Sequence, residues 1–214
     1  VALSEAVATN YFNAFADAGI IPVSFELEGQ AITRAVIDPE DTGSCMIVDF
    51  GANRTGITIV TNKTAMVTAT LDFGGNTLSQ MLAKEMNLSF ADAEKIKREH
   101  GLATLGEHKD VFLVLANGIS VLKDEINRRY VYWHEKKDQL GGFPAIDTIY
   151  LCGGHSNLIG LDEYLSASLK LKVVQVNPWR NCFSLDKHIP QINKEVSMSY
   201  VTAVGLALAD YIYD

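Results

Sequence analysis

A chain of 214 residues is long enough to bury a substantial core, as one large domain or two small ones. Its hydrophobic fraction of 48% and charged fraction of 21% are those of an ordinary globular protein. A net charge of −8 argues against a nucleic-acid groove as its main surface, because phosphate backbones call for clustered Lys and Arg. No apolar run reaches the length of a membrane span, and the opening residues do not read as a signal peptide. The chain starts at Val1, without Met and inside what reads as a strand, so a fragment of something longer is expected. Cys45 and Cys152 sit in apolar strand-like runs and are expected as buried thiols of a reducing cytoplasm; with Cys182 they make an odd, sparse set. The five histidines show no ligand spacing.

Residues 1–38 read strand–helix–strand–helix. Val1–Leu3 is a strand stub and Ser4 an N-cap, after which Val7, Tyr11, Phe15 and Ala18 keep helical spacing until Gly19. Val23–Leu27 alternates as a strand does, Gln30–Ile37 reads as a short helix, and the turn-rich Asp38–Gly43 marks a boundary. Residues 45–50 and 57–62 then read as a β-hairpin, and 65–71 adds a third strand to an antiparallel meander. Gly74-Gly75-Asn76 opens a helix through Met86, and Ser89 with Asp92 forms a capping-box variant that starts another, to about Glu99. Val111–Lys137 is predicted as one long helix, with Phe112, Leu115, Ala116, Ile119, Leu122, Ile126, Tyr130 and Trp133 on a single stripe. Trp133 and Tyr130 read there as core anchors. After the break at Gly141–Pro144, Ile146–Cys152 is a strand, Leu161–Leu169 a helix and Lys172–Val176 a strand. Residues 177–196 read as surface loop, and Ser197 caps a final helix with Val201, Val204 and Leu208 inward. A meander followed by alternating helices and strands is the pattern of a layered α/β domain.

The chemistry gathers at the Gly-bearing junctions. Asp49, at the mouth of the hairpin loop, has the carboxylate to hold a hydrated Mg²⁺, an ion that keeps its waters and takes one or two carboxylates. Gly51 lets a ligand approach the backbone, and the N–H groups that follow it, with the Thr55 hydroxyl, suit phosphate oxygens. Gly74 and Gly75 stand at a helix N-terminus, where amides and dipole favour an anion. Gly153 and Gly154 follow a strand and precede a helix, a place where open sheets bind ligands. Glu94 and Lys97 share one face of a short helix. Each feature alone also reads as an ordinary turn or a solvated charge run.

In this order the segments resemble the actin-like ATPase superfamily, and within it most nearly the PilM family of type IV pilus assembly and its FtsA-like relatives. Ile47–Thr55 is similar to that family's second phosphate loop, and Thr148–Gly154 to its adenosine motif. Asp72–Asn76 through Ala91–Lys97 resembles the segment entering the adenine-facing subdomain, and residues 197–209 the helix returning to the first lobe. The resemblance implies an actin-like (ribonuclease H-like) α/β lobe over residues 41–214, with a 2B-like helical insertion at about 74–110. Residues 1–40 would be a remnant of the first lobe, similar to subdomain 1C with its crossing helix. The family's first phosphate loop lies N-terminal to everything here, and His155 stands where relatives often have a small residue.

By that resemblance the cofactor is ATP or ADP with Mg²⁺. Asp49 serves the metal, Gly51, Asn53 and Thr55 the β- and γ-phosphates, Gly74, Gly75, Gly153 and Gly154 the α-phosphate and ribose side, and Glu94 and Lys97 edge the adenosine. The parent would be a cytoplasmic, nucleotide-switched scaffold and at most a weak ATPase, held at the inner face of the membrane by pilus-assembly or inner-membrane partner proteins. A small-molecule kinase of the same fold, or a nucleotide-free structural relative, are the alternatives. The fragment alone is expected without nucleotide, without measurable ATPase, and self-associating.

Overall fold

The computed structural model describes residues 4–102 and 108–209. In chain order the elements are α1 (Glu5–Asp17), α2 (Glu28–Val36), β1 (Ser44–Phe50), β2 (Thr55–Thr61), β3 (Thr64–Leu71), α3 (Gly75–Glu85), α4 (Phe90–His100), α5 (Lys109–Leu140), β4 (Ile146–Cys152), α6 (Leu161–Leu169), β5 (Lys172–Gln175), α7 (Lys194–Ser197) and α8 (Val201–Ala207). One five-stranded sheet runs β3-β2-β1-β4-β5. β1, β2 and β3 are antiparallel neighbours, whereas β4 lies parallel to β1 and β5 parallel to β4.

The expected meander is present because its runs are β-branched and closed by tight loops; Asn62 and Lys63 take positive φ of 47° and 62° in the β2–β3 turn. β1 is buried on both faces, which is why its sequence is nearly all apolar. Met46, Val48 and Phe50 enter a core with α3, α4, α5 and α6, and Cys45 and Ile47 enter a second one with α2 and α8. The predicted stripe of α5 supplies much of the first core. Trp133 is fully buried, donates its indole N–H to the Pro144 carbonyl at 3.0 Å, and stacks on Phe143. The chain therefore folds back after Gly141 onto the helix it has just left. Ser89 caps α4 as expected, accepting from the Asp92 N–H at 3.1 Å.

Two expectations fall differently, while the strand expected at Val1–Leu3 lies outside the described residues. Val23–Leu27 forms no strand: Val23 is fully exposed and pairs with no strand among the described residues, since alternation supplies propensity but not a partner. The helix expected after Ser4 is present as α1, with Val7, Tyr11 and Phe15 exposed and no residue of the helix buried. The last helical segment starts earlier than Ser197, at α7, whose cap is Asn193: its Oδ1 accepts from the Val196 N–H at 2.8 Å. Cys45 and Cys152 are buried as read, and burial pushes the Cys45 thiol up to about 12. No described helix is long and apolar enough to cross a membrane.

Candidate functional site

Register brings the Gly-bearing loops to one end of the sheet. Asp49 is opposite Gly56 on β2 and Cys152 on β4, and Thr55 is opposite Leu71. The turns after β1, after β3 and after β4 therefore emerge together. Above them lies a cavity of about 630 Å³, lined among others by Glu28, Asp49, Gly51, Ala52, Lys97, Arg98, Gly153, Gly154 and His155. That volume suits a small-molecule or cofactor site. The residues named from sequence divide between those that face this cavity and those that build its wall.

Asp49 faces it. Burial, with the Glu28 carboxylate next, pushes its carboxyl up to about 6. Gly51 also lines the cavity, and beside it the N–H groups of Ala52 and Asn53 donate to no protein atom among the described residues. Gly153 has φ +86°, a region that suits glycine, and a Cβ there would meet the Phe50 carbonyl and the Asp49 carboxylate. The strained position is thus Gly153, while Gly154, which carries the first turn after β4, has an ordinary φ.

Thr55, Gly74 and Gly75 are wall. The expectation that Thr55 turns its hydroxyl to the cleft is corrected: the residue is fully buried and Oγ1 donates to the Phe73 carbonyl at 2.7 Å. The helix N-terminus at Gly74-Gly75 is likewise not an open anion site. Gly75 N–H donates to the Gly51 carbonyl at 3.0 Å and Asn76 N–H to the Ala52 carbonyl at 2.8 Å. The amides read as phosphate donors instead tie one loop to the other. Glycine is required there for close approach, since a Cβ on Gly74 would run into Ala52 and one on Gly75 into the His155 ring. Asn53 lies outside the cavity lining and joins the same seam, its Oδ1 accepting from Asn76 Nδ2 at 2.9 Å.

Glu94 and Lys97 form an interior pair rather than a solvated run. Lys97 is 2% exposed, and its Nζ donates to Glu94 Oε2 at 2.6 Å, Gly75 O at 2.8 Å and Ser79 Oγ at 2.9 Å. Burial alone would raise the Glu94 carboxyl, but hydrogen bonds from Lys97, Ser79 and Arg98 outweigh it and hold it at about 2. Burial lowers the Lys97 pKa, and Glu94 partly offsets it.

Sequence reading missed two residues. Glu28, at the start of α2, faces Asp49 across the cavity and accepts from Thr202 Oγ1 on α8 at 3.1 Å. His155 lines the cavity with its ring edge on Phe50; burial, then the Lys97 charge, lowers its pKa to about 4, so it is neutral at pH 7. Its Nε2 is buried without a hydrogen-bond partner, 4.0 Å from Glu94 Oε1. Among the described residues no cluster of three or more His, Cys, Asp or Glu could cage a metal. Two carboxylates lining one cavity fit a cation that keeps its waters, as Mg²⁺ does.

This arrangement, with an antiparallel meander, two parallel strands and loops converging at one sheet end, is that of the actin-like ATPase fold. MreB5 of Spiroplasma citri bound to AMPPNP superposes with a TM-score of 0.74 at 15% identity, over 99% of this chain and 66% of that one. The PilM-PilN type IV pilus biogenesis complex gives 0.71 at 23% identity, over 95% and 57%. At these identities the likeness concerns fold. In sequence, the cell division protein FtsA of Buchnera aphidicola subsp. Baizongia pistaciae is 32% identical over 101 residues, which is 46% of this chain and 24% of that protein. The family model of the type IV pilus assembly protein PilM matches residues 13–211, and the chain belongs to that family. It spans about a quarter of the curated relative and 57% of the PilM structure.

Proposed function

We propose that this chain carries one wall of a nucleotide cleft in a PilM-type scaffold, where Mg²⁺-nucleotide occupancy switches the surface offered to pilus-assembly partners. The observation that carries the reading is the half-buried Asp49 carboxylate, without a hydrogen-bond donor among the described residues, in a cavity lined by glycine turns. Asp49 and Glu28 would hold hydrated Mg²⁺, and the Ala52 amide would donate to a phosphate oxygen, with Asn53 holding the loop from outside the cavity. Gly153 and Gly154 leave room for backbone approach on the ribose side, and Leu158, Ile159 and the Arg98 guanidinium line the far end, where a base would lie. Glu94, Lys97, Thr55, Gly74 and Gly75 hold this wall in place. The bound cation would neutralise phosphate charge. Residues 1–40 and 41–214 would belong to the first and second lobes, with α3 and α4 as the 2B-like insertion. The solved PilM-PilN complex supports a partner of the PilN kind, through which the protein would sit at the inner face of the membrane.

Amide chemical shifts under titration with MgADP and MgATP test this reading, since they register weak binding. Shifts are expected at Gly51–Asn53 and Gly153–His155, and they should depend on Mg²⁺. The reading fails if millimolar nucleotide moves none of them, or moves them equally in EDTA and in the Asp49→Ala variant.

A further inference from the structure

Lys97 lies in the wall of the cavity, and its ammonium group is engaged within the protein. An ammonium group carries three donors, and all three are engaged, by a carboxylate, a hydroxyl and a main-chain carbonyl. The carbonyl is the informative acceptor. Gly75 C=O belongs to the same peptide group as Asn76 N–H, and that N–H donates to the Ala52 carbonyl at 2.8 Å. One peptide unit is therefore held from both sides, by Lys97 on its oxygen and by Ala52 on its hydrogen. A cation on the carbonyl oxygen polarises the amide, which strengthens the hydrogen bond its N–H makes. The preceding amide, Gly75 N–H, reaches the Gly51 carbonyl. Gly51 and Ala52 both line the cavity beside Asp49.

The seam has little slack. The Gly75 Cα already lies against the His155 ring, and Gly74 against the Ala52 backbone, so neither can move toward its neighbour. Lys97 in turn is fixed by Glu94 Oε2, which Ser79 also reaches, while Arg98 holds the other oxygen, Oε1. The path runs from α4, through an interior ammonium, through one peptide group, to the loop after β1. We infer that Lys97 is a positioning residue for the Asp49 loop: it orients the Gly75–Asn76 peptide and so fixes the Gly51 and Ala52 backbone. Through it, any movement of the α3–α4 pair reaches that loop. The geometry stands whether or not the cavity holds nucleotide, but its consequence for ligand binding rests on the reading proposed above.

Lys97→Met keeps the apolar stem and removes the ammonium. Hydrogen exchange of the unliganded protein is expected to show the Asn76 amide faster by roughly tenfold to a hundredfold, the scale of one charge-assisted hydrogen bond. Strand amides such as Ile47 and Ile59 should stay within a few-fold of wild type. Unchanged exchange at Asn76, or uniform acceleration across the strands, would overturn the inference, the latter because it marks a merely structural lysine. If the half-buried Glu94 left behind prevents folding, Lys97→Met with Glu94→Gln removes both charges and is read identically. Under MgADP, the variant should lose the shifts at Gly51 and Ala52 while retaining those at Gly154; loss or retention of all alike counts against it. If wild type shows no MgADP shifts, the nucleotide reading falls and the exchange result alone decides the role of Lys97.

Discussion

Asp49 is held in a state that disfavours its own charge, and replacing it should therefore stabilise the unliganded protein. A carboxyl that titrates near 6 in the fold, against an ordinary 3.8, costs the ionised folded state at most about 3 kcal/mol. The sign follows from proton counts. Between pH 3.8 and 6 the folded chain binds the Asp49 proton more tightly than the unfolded chain, so stability falls as pH rises through that window. The cost is complete above about pH 6 and absent well below 3.8. Asp49→Asn is near in shape to the protonated acid and removes the charge. Without divalent cations it should melt higher than wild type at pH 8, by up to roughly 6–12 °C for a chain of this size. At pH 4 most of that difference should vanish. Thermal melts at pH 4, 6 and 8 supply the measurement, and Mg²⁺-nucleotide should lose its stabilising effect in the variant. Equal differences at pH 4 and pH 8 would show a steric effect, and a variant less stable at pH 8 would show that the buried charge is compensated after all.

Gly153→Ala should destabilise by about 2 kcal/mol or more, from the left-handed φ and the Phe50 carbonyl a Cβ would meet, whereas Gly154→Ala meets only the movable Ser199 hydroxyl and should cost less. Equal denaturation midpoints for the two variants would refute this ordering. Gly75→Ala should be destabilising through the His155 ring, and His155→Ala in the same chain should recover part of the loss. Strict additivity in that double-mutant cycle would show that the ring is not what confines position 75.

The sheet was legible because its strands are continuous β-branched runs, and Asp49 because it ends the most apolar of them. Thr55 was misread although the signal was present. It shares the face of Ile57 and Ile59 by the two-residue period of a strand, and both are buried in the core below the loop. Lys97 carried a similar signal, since it stands four residues after Ala93, which is fully buried, on one face of α4. Glu28 had no such mark. Its place opposite Asp49 depends on α2 packing against α8, a contact across 174 residues of sequence that brings Thr202 to its carboxylate. The false strand at Val23–Leu27 has the opposite origin, an alternating pattern that pairs with no edge among the described residues.

The charges around the cavity are unevenly satisfied, and that unevenness sets what the site accepts. At one end Lys97 and Arg98 are both bonded to the one Glu94 carboxylate, so both cations are engaged within the wall and that end keeps one positive charge in excess. At the other, Asp49 accepts no hydrogen bond from a described residue, and Glu28 receives only the neutral Thr202 hydroxyl. Two carboxylates facing the loop whose amides would receive phosphate would repel a bare polyphosphate. A divalent cation between them reverses that balance, and it would also relieve the burial that raises Asp49. On this argument Mg²⁺ is a condition of nucleotide binding at this wall rather than an aid to it, and nucleotide in EDTA should leave the Gly51–Asn53 amides where they are.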